Sequence, residues 1–432
     1  MKHSQAVAGR LAWIAGVPLA LALTPWPALA FGPAAHVTLV QTVRDRLPGR
    51  SAIRRALAAQ EGIAAAGANG PDINYASLRG VLDGVGLGYA PWADRYHYHL
   101  VGSLAATQLR QALQSGDKAQ IAWAAGWVTH VTGDLACHGI YVNPEAGVYL
   151  ANPDGRELHR RLEQWAEPFV WVDIGRHSKE SYSKSGLGSA LCHTEDRPAD
   201  LLQAASKQVF GIGPGAERFR TWYSTYRLGV RRGIGYSYVD YAVATEHLSH
   251  DGRRRRLTQA FAAAVDHAVD LLSAAEAGDF SGFSDAWNLD AAREQRPIGT
   301  LTVTIHTADS LGAGTDADIY FGLQSGDELQ EWLLDKTGYD DFERGDTDDY
   351  YLYAGYDSFA PEKLTGVRLR MGKRSGLGPD WKCAWIRVWV NGHPTRLKVD
   401  RTFKAGGAKW EAPIEIATGA LKPPARPTLR VD

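Results

Sequence analysis

The sequence predicts two domains, an all-α domain followed by an antiparallel β-sandwich. In the 432-residue chain, apolar residues recur at intervals of three and four from about residue 36 to residue 275, as they do along helices. From about residue 299 they alternate with polar residues, as in half-buried strands, and glycine and aspartate turns separate the segments. Several short strands at this spacing are typical of a sandwich.

The first 30 residues have the pattern of an export signal. Lys2 and Arg10 accompany an apolar stretch, and the small residues at 28–30 form a cleavage site. A transmembrane anchor is the alternative, but the segment TPWP interrupts the apolar run before it reaches spanning length. We therefore expect a secreted protein, extracellular or periplasmic, whose mature chain begins at Phe31.

Composition excludes several classes of protein. With 45% hydrophobic residues, 22% charged residues and a formal net charge of −1, the chain has the make-up of an ordinary globular protein. It has no basic surplus that would indicate nucleic-acid binding. Three cysteines are too few for a disulfide framework in this length, although a bridge between Cys137 and Cys192 stays open.

Changes in composition set the expected domain boundaries. After the signal peptide at 1–30, we expect a helical domain over 31–285 and a linker over 286–298. The sandwich is expected over 299–418 and a flexible tail over 419–432. The predicted strands lie in the segments GTLTVTIHTA, DADIYFGL, DDYYLYAG, GVRLRMG and CAWIRVWVNG.

One apolar helical stretch, HVTGDLACH, carries three polar residues on one side. His130, Asp134 and His138 are four residues apart, and each such step turns a helix by about 400°. Burying an imidazole or carboxylate without a partner is costly. Either these side chains have ordinary hydrogen-bond partners or they surround a metal. His159 and Glu163 form a second pair four residues apart, which alone is more often structural.

Further residues of the helical half favour the metal interpretation. His36 follows the expected mature N-terminus, Asp72 lies in a GPD turn, and ADRYHYHL supplies His97 and His99. Imidazole nitrogen and carboxylate oxygen are ligands that zinc accepts. Since His97 and His99 occupy alternate positions that face different ways, only one of them should ligate.

This set resembles the zinc-dependent phospholipase C family, of the clostridial alpha-toxin-like type. A related arrangement occurs in the metal domain of glycosylphosphatidylinositol-specific phospholipase D. The resemblance runs from Phe31 to about Asp279 and implies an all-helical domain that holds three zinc ions. It implies these three ligand sets: Phe31 (amino nitrogen and carbonyl oxygen), His36 and Asp134; Asp72, His97, His130 and Asp134; and His138, His159 and Glu163.

The implied chemistry is hydrolysis of a phosphodiester. Two close metals lower the pKa of a shared water to near neutrality and stabilise displacement at phosphorus. Asp72 is the expected general base. A metal-stabilised helical domain without activity is the alternative.

The second half resembles a PLAT (lipoxygenase-homology) domain over roughly 299–415, through GAGTDADIYFGL and the closing segment SGLGPDWKCAWIRVWVNG. This resemblance implies calcium-assisted binding to phospholipid, and oxygen ligands suit calcium. The matching positions are Gly314, Thr315, Asp316, Asp335, Gly338, Asp340, Asp341 and Asp380. Lys336 stands where the family has an asparagine, so we expect at least one calcium site to be weakened. Asp-rich turns without any metal are an equally frequent alternative. We expect Trp381 to dip into the headgroup layer.

Together, these features predict a secreted zinc-dependent phospholipase C that converts phosphatidylcholine-type phospholipids to diacylglycerol and phosphorylated headgroup. We expect a monomer that acts on a phospholipid membrane surface and binds no nucleic acid. Two alternatives stay open. One is an exported metal-dependent nuclease or phosphodiesterase of the same fold, and the other is a non-catalytic lipid-binding protein.

Overall fold

The predicted division into an all-α domain and an antiparallel β-sandwich is confirmed by the computed structural model. The structure describes residues 31–77, 89–182, 196–232, 239–291, 297–355, 357–372, 380–404 and 407–421. The predicted export signal, Cys192 and the end of the predicted tail lie outside these ranges. The possible Cys137–Cys192 bridge is therefore not tested, and Cys137 itself is buried.

α-Helices make up most of the described part of the first domain. Its described α-helices are α1 (Pro33–Arg46), α2 (Ala52–Ala59), α3 (Glu61–Ala68), α4 (Pro91–Tyr98), α5 (Val101–Ser115), α6 (Lys118–Ala136), α7 (Asn143–Ala146), α8 (Arg156–Phe169), α9 (Asp196–Phe210), α10 (Ala216–Arg232), α11 (Tyr241–Leu248) and α12 (Arg253–Glu276). A 3₁₀-helix spans Pro71–Ser77, and π-helical segments span Cys137–Val142 and Val170–Ile174. In the described ranges, no helix has both the length and the apolar character needed to cross a bilayer.

Local sequence explains where several helices begin. Ser51 caps α2 by accepting a hydrogen bond from the N–H of Arg54. Asp117 caps α6 in the same way, and Asp240 caps α11. α1 starts with Pro33, which lacks the N–H that would be unsatisfied at this position. These residues fix the register in which each helix presents its side chains.

Helix α6 runs through the middle of the domain. α1, α2, α3, α5 and α12 all pack against it. Its residues are buried on every side, which explains why the segment is apolar all round rather than amphipathic. After Ala136, α6 continues without a break into the π-helical segment Cys137–Val142.

Two glycines let α3 approach α6 closely. A Cβ atom at Gly67 would lie 2.2 Å from the carbonyl oxygen of Trp123, and a Cβ at Gly126 would lie 2.3 Å from that of Ala64. No larger side chain fits either position. The last carbonyl group of α3 thereby comes within reach of the side chains of α6.

The segment predicted as a linker begins as a packed part of the helical domain. Trp287 and Leu289 belong to the helical core, and the N–H of Leu289 donates to the carbonyl oxygen of His97 at 3.1 Å. Just before it, Asp285 accepts hydrogen bonds from the backbone N–H and hydroxyl of Ser103 at the start of α5. This part of the connection is therefore fixed in place.

Two antiparallel four-stranded sheets form the second domain. The strands are β1 (Leu301–Thr307), β2 (Ile319–Ser325), β3 (Glu328–Leu333), β4 (Thr347–Leu352), β5 (Leu364–Met371), β6 (Trp381–Val390), β7 (His393–Phe403) and β8 (Lys409–Pro413). The sheet orders are β4-β1-β6-β7 and β3-β2-β5-β8. Register pairs such as Ile305 with Ile386, and Phe321 with Leu369, place apolar residues between the sheets. Order extends beyond the predicted boundary at 418, because Ala420 is buried in a short 3₁₀-helix.

Five strands were predicted and three were not. β3, β7 and β8 lack a predicted counterpart, and each lies at the edge of a sheet. Edge strands have one solvated side and carry more charge, so their apolar alternation is weak. The weak apolar alternation of these edge strands explains why they were not predicted.

The expectation for Trp381 is wrong. Its side chain is fully buried, its indole N–H donates to the hydroxyl of Thr307 at 3.1 Å, and its ring packs against Phe342 and Phe403. Trp381 opens β6 on the face between the sheets, so it cannot reach a membrane. Leu311, in the β1–β2 loop, is 95% exposed, more than Leu333 or Leu421 of the same domain.

The sandwich packs against α4. Arg95 forms an ion pair with Asp349 of β4, and the ring of Tyr98 lies 5.7 Å from the ring of Tyr351. α4 therefore has one side toward the helical core and another toward the sandwich.

Candidate metal centre

Asp134 lies at the centre of a first group of polar residues in the helical core. Its carboxylate oxygens are 3.1 Å from Nε2 of His130, 3.4 Å from Nε2 of His36 and 3.6 Å from Nε2 of His97. Oδ1 of Asp72 is 3.1 Å from Nε2 of His97. All five residues are at most 5% exposed.

Four elements bring this group together. His130 and Asp134 lie on α6, His36 on the first turn of α1, and His97 near the end of α4. Asp72 belongs to the 3₁₀-helix that follows α3. Distant parts of the sequence thus meet on one face of α6, as the four-residue spacing predicted.

The approach of α1 depends on a small residue of α6. A Cβ atom at Gly133 would lie 2.8 Å from Cδ2 of Leu39 and 3.6 Å from Cε1 of His36. The ring of Phe31, the expected mature N-terminus, contacts His36 edge-on at 5.9 Å between centroids. Gly133 therefore leaves the space in which the first turn of α1 brings His36 to Asp134.

A second group lies next along the same continuous helical segment. His138, the second residue of the π-helical segment, places Nε2 at 3.3 Å from Oε1 of Glu163. His159, one turn before Glu163 on α8, places its Nε2 at 3.0 Å from the same oxygen. A helix rises about 1.5 Å per residue, so the step from Asp134 to His138 separates the two groups by about 6 Å.

Four of the histidines have the same orientation. The Nδ1 atoms lie at hydrogen-bond distance from backbone carbonyl oxygens: His97 from Ala93 (2.7 Å), His130 from Ala68 (2.9 Å), His138 from Leu289 (2.6 Å) and His159 from Gly147 (3.3 Å). A carbonyl can only accept, so each Nδ1 carries the proton. The Nε2 atoms therefore point into the two groups, where each faces a carboxylate. Metal-ligating histidines are held in this way.

Several buried atoms of these groups make no hydrogen bond. Among the described residues they are Nδ1 and Nε2 of His36, Oδ1 of Asp72, both carboxylate oxygens of Asp134 and Nε2 of His159. Buried polar groups are nearly always hydrogen-bonded, and leaving them unpaired is costly. In the same described part of the chain, no lysine or arginine forms an ion pair with Asp72 or Asp134. This donor set fits metal cations.

The pKa values of these residues follow from burial and crowding. Burial disfavours charge on Asp134, but His130, His36 and His97 outweigh it and hold the pKa of its carboxyl well below the usual range. Burial also opposes protonation of His97, yet its contacts with Asp72 and Asp134 raise the pKa of His97 to about 9. The charges of the first group thus depend on one another.

Glu163 shows the opposite pKa shift. Burial raises the pKa of Glu163 to about 8, against the hydrogen bond from His138, and Asp290 adds to the increase. A nearby cation would remove the cause, because it would compensate the buried negative charge.

Sequence reasoning missed two buried carboxylates beside these groups. Asp290, in the segment predicted as linker, places Oδ1 at 3.7 Å from Nε2 of His138. Glu167 lies on α8 four residues after Glu163, and it accepts hydrogen bonds from the N–H groups of Ala34 and Ala35 at 2.9 Å each. The spacing from Glu163 was a signal for Glu167. Asp290 lies outside any periodic segment.

His99 does not join the ligand groups. Its Nδ1 is 3.2 Å from the hydroxyl of Thr302, and its ring lies 4.8 Å from that of Trp389 in β6. Burial lowers the pKa of His99 to about 4. His99 therefore belongs to the contact with the sandwich, and including it among the metal residues was wrong. Its neighbour two positions earlier, His97, is the one that faces Asp134.

Family matches agree with this geometry. Residues 35–207 match the family described as zinc dependent phospholipase C, and residues 301–400 match the PLAT/LH2 domain. The resemblance to zinc-dependent phospholipases C, with a PLAT domain following, is confirmed.

Individual relatives cover smaller parts of the chain. A stretch of 118 residues is 35% identical to phospholipase C of Clostridium novyi, covering 27% of this chain and 29% of that protein. A stretch of 114 residues is 32% identical to phospholipase C of Clostridium perfringens, covering 26% and 28% respectively. The chain thus spans less than a third of the length of these curated relatives. The crystal structure of C. perfringens alpha-toxin from avian strain SWCP aligns with 90% of this chain and 100% of its own, at 17% identity and a TM-score of 0.31.

The PLAT domain brings two of the expected calcium residues together. Asp316 and Asp340 form an exposed acidic group with Glu343, which the sequence analysis did not include. Gly314 packs beside this group, since a Cβ there would lie 3.2 Å from the carbonyl oxygen of Phe342. The neighbouring Thr315 is buried, and its hydroxyl accepts a hydrogen bond from the backbone of the same loop.

The other expected calcium residues lie apart from this acidic group. Asp335 and Gly338 are exposed and Asp380 is half-buried, and in the described ranges none of them belongs to a cluster of metal-ligating side chains. Asp341 faces Lys336, whose Nζ is 3.3 Å from its Oδ1. Asp341 is therefore engaged by a cation of the chain itself.

Lys336 is buried at this point of the PLAT domain. Its Nζ is 2.6 Å from Oδ1 of Asp348, and it lies over the rings of Tyr350 and Tyr89. Tyr89 precedes α4, so this ammonium group also joins the β3–β4 loop to the helical domain. That Lys336 weakens one calcium site stays a prediction.

Proposed function

We propose that this protein is a secreted zinc-dependent phospholipase C that hydrolyses phosphatidylcholine-type phospholipids to diacylglycerol and a phosphorylated headgroup. The observation that carries the proposal is the common orientation of four buried histidines. Their Nδ1 atoms contact backbone carbonyls and their Nε2 atoms face carboxylates. The matches to phospholipases C support the choice of phospholipid as substrate.

Three zinc ions are assigned to the two groups. The first is held by Phe31, His36 and Asp134, and the second by Asp72, His97, His130 and Asp134. The third is held by His138, His159 and Glu163. Their donors are imidazole nitrogens and carboxylate oxygens, which zinc prefers, with the amino nitrogen and carbonyl oxygen of Phe31. Removal of the export signal exposes the amino group of Phe31, so the first site forms only in the mature protein.

The chain positions a water and a phosphodiester beside Asp72. Zinc bound there would lower the pKa of that water and would stabilise negative charge on the phosphate oxygens. Asp72 accepts the proton of the attacking water through Oδ1, an atom that makes no hydrogen bond among the described residues. The backbone contacts of His97 and His130 hold these side chains in one rotamer, which keeps the site pre-organised.

The PLAT domain docks the enzyme on the membrane with help from calcium. The exposed carboxylates of Asp316, Asp340 and Glu343 offer the oxygen ligands that calcium prefers. Leu311 projects from the loop that also carries Asp316, and its side chain is available for insertion among lipid headgroups. Lys336 of the β3–β4 loop lies over the ring of Tyr89, just before α4. This loop therefore lies beside α4, the helix that carries His97.

The experiment compares substrates and variants. Purified mature protein is assayed on phosphatidylcholine vesicles and on single-stranded DNA, and its zinc content and N-terminal residue are determined. We expect diacylglycerol release, intact DNA, three zinc ions and Phe31 at the N-terminus. His130→Ala should lose zinc and hydrolysis, whereas the matched control His99→Ala should keep its zinc.

Other outcomes would support the alternatives. DNA cleavage without lipid hydrolysis would indicate a nuclease. Vesicle binding with no turnover in either the wild type or His130→Ala would indicate a lipid-binding protein. Either result would overturn the proposed function.

A further inference from the structure

Asp290 is a buried carboxylate that faces the second histidine group. Its Oδ1 lies 3.7 Å from Nε2 of His138, and ligand atoms of His138, His159 and Asp290 all lie within 4.8 Å of one another. The residue is 4% exposed. It follows α12 by 14 positions, in the connection between the two domains.

The surrounding structure holds Asp290 in this orientation. Its Oδ2 accepts a hydrogen bond from the hydroxyl of Tyr98 at 2.9 Å, and its N–H donates to the side-chain oxygen of Asn288 at 3.0 Å. Its carbonyl oxygen accepts a hydrogen bond from the side chain of Asn143. One carboxylate oxygen is thus engaged by Tyr98, and Oδ1 is left facing His138.

The residue just before Asp290 orients the same histidine. The carbonyl oxygen of Leu289 lies 2.6 Å from Nδ1 of His138, which fixes the Nε2 lone pair toward Asp290 and Glu163. One short segment therefore supplies both the partner that orients His138 and a carboxylate in front of its free nitrogen. A loop that served only to connect domains has no need for this arrangement.

The charge of Asp290 lacks a cation supplied by the chain. Within the described ranges, its ion-pair contact is with His138, and no lysine or arginine lies within ion-pair distance of it. Glu163 contributes a second carboxylate to the same pair of histidines. Two buried carboxylates are costly unless a cation compensates their charge.

We infer that Asp290 is a fourth protein ligand of the zinc ion assigned to His138, His159 and Glu163. This inference rests on the proposed function, because it assumes that zinc binds there. Two imidazoles and two carboxylates match the four-coordinate preference of zinc, and two carboxylates balance its charge. Four protein ligands are typical of structural zinc sites, whereas catalytic sites keep a position open.

A structural role for this third site has a consequence for the domain connection. Asp290 lies 11 residues before the start of β1 at Leu301. Its hydrogen-bond partner Tyr98 packs on Tyr351 of β4. Zinc at this site ties the start of the connection to the helical domain. Loss of this ion is therefore expected to loosen the connection while the other two zinc ions stay bound.

Three variants separate a ligand from a hydrogen-bond partner. Asp290→Asn removes the negative charge at nearly constant size. Tyr98→Phe removes the hydrogen bond to Asp290 and keeps the carboxylate. Asp285→Asn is the matched control, because Asp285 lies in the same segment but bonds to Ser103 at the start of α5, away from the histidines.

The first measurement is zinc stoichiometry and affinity, determined by competition with chelators of increasing strength. We expect three ions in the wild type. In Asp290→Asn the affinity for one of them should fall by at least about 100-fold, since even indirect partners of ligands cost 10- to 100-fold. Tyr98→Phe removes only an indirect partner of the metal, so its loss of affinity should be smaller, about 10-fold. Asp285→Asn should stay within a few-fold of the wild type.

A second variant gives a spectroscopic readout. In Asp290→Cys loaded with cobalt in place of zinc, a sulfur that bonds the metal produces a thiolate-to-cobalt absorption band, which the wild type should lack. This readout does not depend on activity, and it applies even if Asp290→Asn fails to fold.

Each result has one meaning. Wild-type affinity for all three ions in Asp290→Asn, equal losses in Asp290→Asn and Tyr98→Phe, or no band in cobalt-loaded Asp290→Cys would overturn the inference. A wild type that binds no zinc would instead overturn the proposed function.

Discussion

Two buried aspartates, one in each domain, solve the same electrostatic problem in different ways. Asp134 is 1% exposed and Asp348 is 2% exposed. Asp348 is compensated by the ammonium group of Lys336 at 2.6 Å. Asp134 faces the Nε2 atoms of three histidines, and no lysine or arginine of the described chain is paired with it.

The difference teaches how to distinguish a structural carboxylate from a metal ligand. A cation built into the chain satisfies Asp348, so nothing else needs to bind there. Three imidazoles surround Asp134, and backbone carbonyls orient two of them, His97 and His130. An imidazole has no permanent charge, and it can bind either a proton or a metal. Burial alone, which both aspartates share, does not separate the two cases.

The largest expected effect comes from Asp134→Asn. We expect the zinc content to fall from three ions to one, because Asp134 is assigned to two of the three sites. Metals contribute several kcal/mol to stabilisation of the transition state, so a loss of about 4 kcal/mol would lower vesicle hydrolysis by about 10³-fold. Metal analysis and turnover measured on the same preparation test this.

Asp348→Asn is the matched control in the PLAT domain. It makes the same chemical change in an equally buried aspartate, and it should leave all three zinc ions in place while the sandwich becomes less stable. Equal zinc loss in the two variants would show that the comparison between them is mistaken.

The next largest effect is expected from Lys336→Met. This change leaves the carboxylates of Asp341 and Asp348 without their cation, and breaking a buried pair on one side costs about 3–5 kcal/mol. Urea unfolding followed by the tryptophan signal of the sandwich should report that loss. Zinc content should not change.

The double variant Lys336→Met/Asp348→Asn tests the cause of that loss. It removes both charges, so part of the lost free energy of unfolding should return. If Lys336→Met costs less than about 1 kcal/mol, the pair behaves as an exposed ion pair and its burial has no energetic consequence.

Periodicity accounts for the parts of the site that the sequence predicted. His130, Asp134 and His138 share one side of a continuous helical segment, and His159 and Glu163 are one helical turn apart, so the four-residue spacing singled them out as candidates. The family resemblance then favoured a metal over ordinary hydrogen bonds, and His97 over His99.

The parts that were missed depend on tertiary contacts. Asp290 lies in an irregular segment 152 residues after His138 and reaches it only because Trp287 and Leu289 pack into the helical core. Trp381 was taken for a membrane contact because it stands beside Asp380, an expected calcium residue, yet its position in the strand directs it between the sheets. In the acidic turns of the PLAT domain, the sequence could not show which carboxylates face Lys336 and which face solvent.

Leu311→Ser tests whether the loop that carries Asp316 docks on the membrane. Asp316 belongs to the exposed acidic group, whereas Asp341 and Asp348 are paired with Lys336. Burying a leucine side chain contributes about 1.5–3 kcal/mol, so its loss should weaken binding to phosphatidylcholine vesicles roughly 10- to 100-fold in the presence of calcium. Leu421→Ser is the control, since Leu421 is 43% exposed in the same domain but lies in the C-terminal 3₁₀-helix. Vesicle sedimentation measures both. Equal effects in the two variants would argue against docking through the β1–β2 loop.

The smallest expected effect concerns a third way of compensating a buried carboxylate. Glu167 is 2% exposed and accepts hydrogen bonds from the N–H groups of Ala34 and Ala35, so the start of α1 supplies the positive end of a helix dipole. Glu167→Gln removes the charge and one of the two acceptor oxygens, and we expect the helical domain to lose about 1–2 kcal/mol in urea unfolding.

Glu157→Gln is the control for this last change, because Glu157 lies on the same helix and its side chain is 60% exposed beside Arg160 and Arg161. It should alter stability by less than about 0.5 kcal/mol. α1 carries His36, so the affinity for one zinc ion should fall in Glu167→Gln and not in Glu157→Gln. If zinc binding is equal in the two variants, Glu167 stabilises α1 without positioning the metal centre. A carboxylate fixed by backbone amides would then be as independent of zinc as Asp348 is.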